Sequence, residues 1–173
     1  MRIYEGAPRQ NYQEVLRSMG AYLDQRGMRE VLLVEAADGF ILQALLPDVD
    51  ESKWAGTSAH IAKESLSFLD EEISGFIDAA LARRGTTGPD GHSRAAGFYE
   101  NAFRVLGSYI DQQKPHDIFL LEQDHSFVLR LLMQDRIGPR HVLAEFTRDD
   151  IEAMVTAGPQ MRGKAPLEPR AFG

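Results

Sequence analysis

Residues 12–46 read YQEVLRSMGAYLDQRGMREVLLVEAADGFILQALL, and residues 99–133 read YENAFRVLGSYIDQQKPHDIFLLEQDHSFVLRLLM. The second stretch repeats the first at an offset of 87 without a gap, and 11 of the 35 aligned pairs are identical. They are Tyr12/Tyr99, Arg17/Arg104, Gly20/Gly107, Tyr22/Tyr109, Asp24/Asp111, Gln25/Gln112, Leu33/Leu120, Glu35/Glu122, Phe40/Phe127, Leu42/Leu129 and Leu45/Leu132. Average composition gives roughly two identities between unrelated stretches of this length. Most other pairs are swaps such as Leu23/Ile110 or Val31/Ile118. A repeat of this kind constrains the fold before any single element does.

Within the stretch, Tyr12, Val15, Leu16, Met19, Tyr22 and Leu23 recur at helical spacing. At about 100° per residue they fall within about 120° of arc, which predicts an amphipathic helix. Pro8 suits its first turn and Gly27 its stop, so the helix is expected over Pro8–Gln25. Val31–Ala36 and Phe40–Leu46 predict two strands, with Asp38-Gly39 as a two-residue turn. The second copy has Asp124-His125-Ser126-Phe127 in that place. Such a turn sets Ala37 opposite Phe40, Glu35 opposite Leu42 and Leu33 opposite Ala44. One face then carries Val31, Leu33, Glu35, Phe40, Leu42, Ala44 and Leu46, and the other Leu32, Val34, Ile41, Gln43 and Leu45. Both are largely apolar, whereas a sheet with one wet face alternates more cleanly. Helices are therefore expected on one face. On the other, the cover is the sister repeat, the Pro47–Ala62 segment or a second chain.

Pro47–Ala62 is a polar connection holding the only tryptophan, Trp54. The second copy is nine residues shorter here, and the repeat resumes at an offset of 78. Glu64–Phe68 and His141–Phe146 then read as third strands. Closing helices follow, capped by Asp70 and by Thr147 with Asp150 three residues on. Their apolar faces are Ile73, Phe76, Ile77, Ala80 and Leu81, and Ile151, Met154 and Val155. The expected class is α+β: a tandem duplication of an α-β-β-β-α unit, an antiparallel sheet packed against helices, and a pseudo-twofold between the halves. Residues 1–84 form the first repeat, 85–97 a turn-rich linker, 98–158 the second repeat and 159–173 an extended tail.

The chain has 173 residues, 43% hydrophobic and 26% charged, enough for one ordinary domain or two small ones with a shared core. It has no cysteine, which excludes disulfides, thiolate nucleophiles and Cys-ligated metals. The start, from Met1 to Gly6, has no apolar signal region, and no apolar run approaches the roughly 20 residues of a membrane span. A cytoplasmic protein away from the membrane is expected. A net charge of −7 and no Lys/Arg cluster argue against nucleic acid. In element order alone, each half resembles double-stranded-RNA-binding domains. Those place lysines at the start of the last helix, where this chain has Asp70-Glu71-Glu72 and Arg148-Asp149-Asp150. Acids there would repel phosphate, and the function is not carried over.

Arg17, Gly20 and Asp24 form one stripe at the edge of the apolar helix face, and Arg104, Gly107 and Asp111 repeat it. The stripe reads as a structural seam: glycine permits close approach, and Arg and Asp pin it. Glu35 and Glu122 point by parity to the helix-covered face, where burial raises a carboxyl pKa. They are candidate acid/base groups, or structural carboxylates held by arginine, tyrosine or backbone donors. Asp24 and Glu35 flank a strand as in metal-dependent nucleases. The lysine such sites need after the second acid is missing, since Ala36-Ala37 and Gln123-Asp124 follow. The histidines His60, His92, His116, His125 and His141 show no metal-ligand spacing, and no nucleophile elbow or phosphate loop is present. No metal and no cofactor are implied. Trp54 and His125 lie where the copies differ and are candidate binding residues.

These features favour a non-enzymatic binding or regulatory protein built from a duplicated α+β domain. Its candidate partners are a second copy of the chain, another protein or a small molecule. The alternative is a small enzyme using Glu35 or Glu122 in a cleft between the repeats.

Overall fold

The structure is a computed structural model that describes residues 11–37, 39–46, 63–84, 96–124, 126–157 and 170–171. Trp54, His125 and Asp38 fall outside these residues, as does the Pro47–Ala62 connection. Helix α1 spans Tyr12–Arg26. Asn11 is extended, and its side chain accepts the Glu14 N–H at 2.9 Å. The helix thus starts at Tyr12 rather than at Pro8, because Asn11 satisfies a first-turn donor as N-cap. At the other end Gly27 takes φ 63°, and the Gly27 and Met28 N–H groups bond to Asp24 and Leu23 carbonyls. That is a Schellman stop, with Met28 buried against the last turn.

Strands β1 (Arg29–Ala36), β2 (Gly39–Leu45) and β3 (Lys63–Leu69) follow, then helices α2 (Asp70–Arg84) and α3 (Phe98–Gln113). Strands β4 (Asp117–Gln123), β5 (Ser126–Asp135) and β6 (Gly138–Thr147), helix α4 (Arg148–Ala157) and a two-residue β7 (Arg170–Ala171) complete the order. Thr147 and Asp150 make the reciprocal box expected from their spacing. The Thr147 N–H donates to Asp150 at 2.8 Å, and the Asp150 N–H to Thr147 Oγ1 at 3.1 Å.

All strands belong to one antiparallel sheet, ordered β3-β2-β1-β4-β5-β6-β7. At its centre Leu33 lies opposite Leu120, flanked by Leu32 opposite Leu121 and Val34 opposite Phe119. The β1–β2 register corrects the expected one. Ala36 faces Gly39, Glu35 faces Phe40 and Leu33 faces Leu42. The pairing slides two residues along β2 and draws Gly39 into the strand opposite Ala36, so Gly39 is not the turn residue expected of it. A two-residue slide preserves parity, and each side chain keeps its face.

Val31, Leu33, Phe40, Leu42 and Ala44 are buried with Ile118, Leu120, Phe127, Leu129, Leu131, Ala144 and Phe146. The helices bury their apolar faces against this set. Tyr12 meets Phe40 edge-on, Phe103 meets Phe127, and Tyr109 meets Phe146 at 5.2 Å between ring centroids. Helices α1 and α3 lie side by side at the centre, with α2 packed on α1 and α4 on α3. No described helix is long and apolar enough to cross a membrane.

Candidate functional site

Each of the two repeated acids is held by the tyrosine 23 positions before it. The Tyr12 hydroxyl donates to Glu35 Oε2 at 2.6 Å, and the Tyr99 hydroxyl to Glu122 Oε1 at 2.9 Å. Burial pushes the Glu35 carboxyl up to about 7, against the Tyr12 hydroxyl, which favours the anion. Burial also raises Glu122, whose Oε2 is buried without a hydrogen bond. Both tyrosines rise out of reach of neutral pH, by burial first and by the neighbouring carboxylate second. Neither is a phenolate, so both act as donors. The β1–β4 register puts the two acids at opposite ends of the central strand pair. Four residues of strand separate them, about 13 Å. At that separation they cannot work as a carboxylate pair.

The stripe residues meet at the α1–α3 contact. A Cβ on Gly20 would lie 2.3 Å from the Tyr99 carbonyl oxygen, and one on Gly107 would lie 2.6 Å from the Gln13 Cα. Each glycine therefore touches the first turn of the opposite helix, and the helices run antiparallel. Each aspartate then caps that opposite helix. Asp24 accepts the Tyr99 and Glu100 N–H groups at 3.1 and 2.9 Å; Asp111 accepts those of Tyr12 and Gln13 at 2.9 and 3.0 Å. The N-cap of α3 is Gly97, which has no side chain to offer, and the Asp24 carboxylate fills its place. Burial raises both aspartates, against the pull of the N–H groups they bind. Arg17 Nε stands 3.5 Å from Glu100 Oε1. Glu100 is 7% exposed and was not singled out by sequence, because the residue aligned with it at the offset of 87 is Gln13.

The face of the sheet away from the helices carries two cross-strand rows. One runs Ile41–Val34–Phe119–Arg130–Leu143 and the other Gln43–Leu32–Leu121–Val128–Glu145, from β2 through β1, β4 and β5 to β6. Ile41 is 38% exposed and Leu143 42%, and Leu32, Val34, Phe119, Leu121 and Val128 are half-buried. The Arg130 guanidinium lies over the Phe119 ring, 4.9 Å from its centroid. Of the covers considered for this face, the described strands of the second repeat are not one: they extend the sheet sideways through β4. The Pro47–Ala62 segment lies outside the described residues. Phe119, Arg130 and Leu143 were not picked out from sequence, though Phe119 follows from Leu32 by the offset of 87.

A depression of about 580 Å³ opens beside the β4–β5 turn, lined by Gln123, Asp124, Ser126, Glu145, Thr147, Arg148 and Asp149. His125 is outside the described residues. His116 bonds to neighbouring Asp117 at 2.8 Å and His141 is exposed. Among the described residues, no group of three His, Asp or Glu side chains could hold a metal ion. Compared with known proteins, the chain matches no family model, no curated protein and no solved structure.

Proposed function

We propose that this chain is a non-enzymatic binding protein, built by tandem duplication of an α-β-β-β-α unit, that pairs with a second copy through its open sheet face. The two apolar rows carry this reading. In a monomer they would leave a contiguous apolar surface in water, which soluble chains rarely do without a partner. Exchange of the halves turns Ile41, Val34 and Phe119 of one row into Val128, Leu121 and Leu32 of the other, so the face has the twofold character that isologous contacts use.

Charge and area support a second copy. The chain carries −7 overall, yet the only charges in the two rows are Arg130 and Glu145, of opposite sign. Two such faces meet without net repulsion. Five strands spaced about 4.8 Å apart, over the roughly 20 Å of strand that takes in the two rows and the residues flanking them, give about 480 Å² per copy. The pair buries about 1,000 Å², near the lower bound for a specific interface. Phe119→Asp and Val34→Asp test this. Each should weaken self-association at least tenfold in sedimentation equilibrium, with unchanged far-ultraviolet circular dichroism. Unchanged association would place the contact elsewhere.

One observation favours the enzymatic alternative: Glu35, raised to about 7, is poised for proton transfer. In that reading it acts alone, since Glu122 is too far away to assist. Glu35→Gln separates the two readings, because a binding role survives it once stability is matched.

A further inference from the structure

At the contact between α1 and α3, among the described residues, Arg17 and Arg104 share one carboxylate, that of Glu100. Gly20 touches the backbone of Tyr99 and Glu100, and Gly107 touches that of Tyr12 and Gln13. Interpolating between these two contacts places Arg17 of one helix across from Arg104 of the other. The stripe to which they belong lies about 130° round each helix from the sheet-facing side, so the arginines sit on the outer lip of the contact. The Arg17 side chain is 28% exposed.

Two guanidiniums at one place call for two anions. Glu100 supplies one, 3.5 Å from Arg17 Nε and almost fully buried. The position that would supply the second is Gln13, which is neutral. Arg17 Nε is buried and makes no hydrogen bond. Burial, and then the neighbouring Arg17 charge, depress the Arg104 pKa. Like charges held this close, with a buried donor unmet, are costly unless an acceptor arrives. Guanidinium groups present fixed forks of N–H donors that match the oxygens of a carboxylate or phosphate.

We infer that the outer lip of the α1–α3 contact binds a small oxyanion, carboxylate or phosphate, between Arg17 and Arg104. The anion takes the place that a second acid at position 13 would have filled. The site is on the helix layer, on the opposite side of the molecule from the open sheet face, so it stands or falls independently of self-association.

The test titrates the native chain with inorganic phosphate, and separately with acetate, at ionic strength matched with chloride. It follows the arginine Nε–H resonances and the melting temperature. Saturable shifts at Arg17 and Arg104, with a rise in melting temperature, are expected, and the stronger of the two anions identifies the oxyanion class. Arg17→Gln and Arg104→Gln should each remove the response. Glu100→Gln, which removes the competing carboxylate, should tighten binding several-fold. The inference is overturned if the native resonances do not shift, if the response does not saturate, or if the arginine variants respond like the native chain. Should either variant fail to fold, the native resonances and the Glu100→Gln comparison still decide.

Discussion

Asp24 caps a helix to which it does not belong: its carboxylate takes the Tyr99 N–H at 3.1 Å, in the first turn of α3. Asp111 returns the bond to Tyr12 at 2.9 Å. Each half of the chain thus finishes a helix of the other: from its own N-cap residue α1 has only the Asn11 bond to Glu14, and α3 has none. Removing such a cap leaves two buried donors without partners. Asp24→Ala should cost about 1–2 kcal/mol. Asp24→Asn, which keeps one acceptor oxygen, should cost less. Urea unfolding midpoints of the two variants check the order.

The glycine contacts set a steric prediction. A Cβ on Gly20 falls 2.3 Å from the Tyr99 carbonyl oxygen and 2.8 Å from the Glu100 Cα, backbone atoms that cannot swing away. Gly20→Ala should force α1 and α3 apart and cost about 1–3 kcal/mol. Gly75, exposed on α2 with nothing within 4 Å of a built Cβ, is the control. Gly75→Ala should stabilise by about 0.5–1 kcal/mol. Thermal melts that rank the two alike would contradict the close helix contact.

Glu35 makes stability depend on pH. Its carboxyl is pushed from the ordinary 4.5 to about 7 by burial, so the folded chain holds this proton more tightly than the unfolded one. Its contribution is fully present below 4.5 and is lost as pH rises through about 7. Glu122, Asp24 and Asp111, also raised by burial, add in the same direction. Glu35→Gln should flatten the fall in melting temperature across this window. Tyr12→Phe, which removes the donor that favours the anion, should move the Glu35 titration still higher. Carboxyl carbon shifts measured by nuclear magnetic resonance against pH report both.

The reciprocal capping also bears on the halves as separate chains. Residues 98–173 alone contain α3 but neither Asp24 nor the α1 surface that Gly107 touches. That fragment should not give a monomer with a cooperative melt. It should be unfolded, or should pair with itself and rebuild the contact with two copies of α3. Calorimetry of the fragment, with its mass by light scattering, distinguishes these outcomes.

Much of the fold was legible because it is written in periodicities. The helical spacing from Tyr12 to Leu23, the Gly27 stop and the Thr147–Asp150 box are local, and local chemistry determines them. Face parity was also readable, since Val31, Leu33, Phe40, Leu42 and Ala44 are all buried together. The hairpin register was not. Asp38-Gly39 is the stronger turn signal, but pairing along the strands placed Gly39 opposite Ala36. The N-cap at Asn11 was missed because Pro8 offered an equally good start. The partners of Asp24, Asp111 and Glu35 could not be assigned, because they are separated by 75, 99 and 23 residues and only packing brings them together. The second sheet face was seen only in outline: the sequence showed an apolar second side, and the strand order showed that the described strands of the second repeat extend the sheet instead of covering it.

The central claim is that the open sheet face joins two copies, and the solution mass of the native chain tests it most directly. Light scattering across a dilution series should give about twice the 19.3 kDa of one chain, falling toward a single chain only on strong dilution. A mass of 19.3 kDa at every concentration would contradict the account.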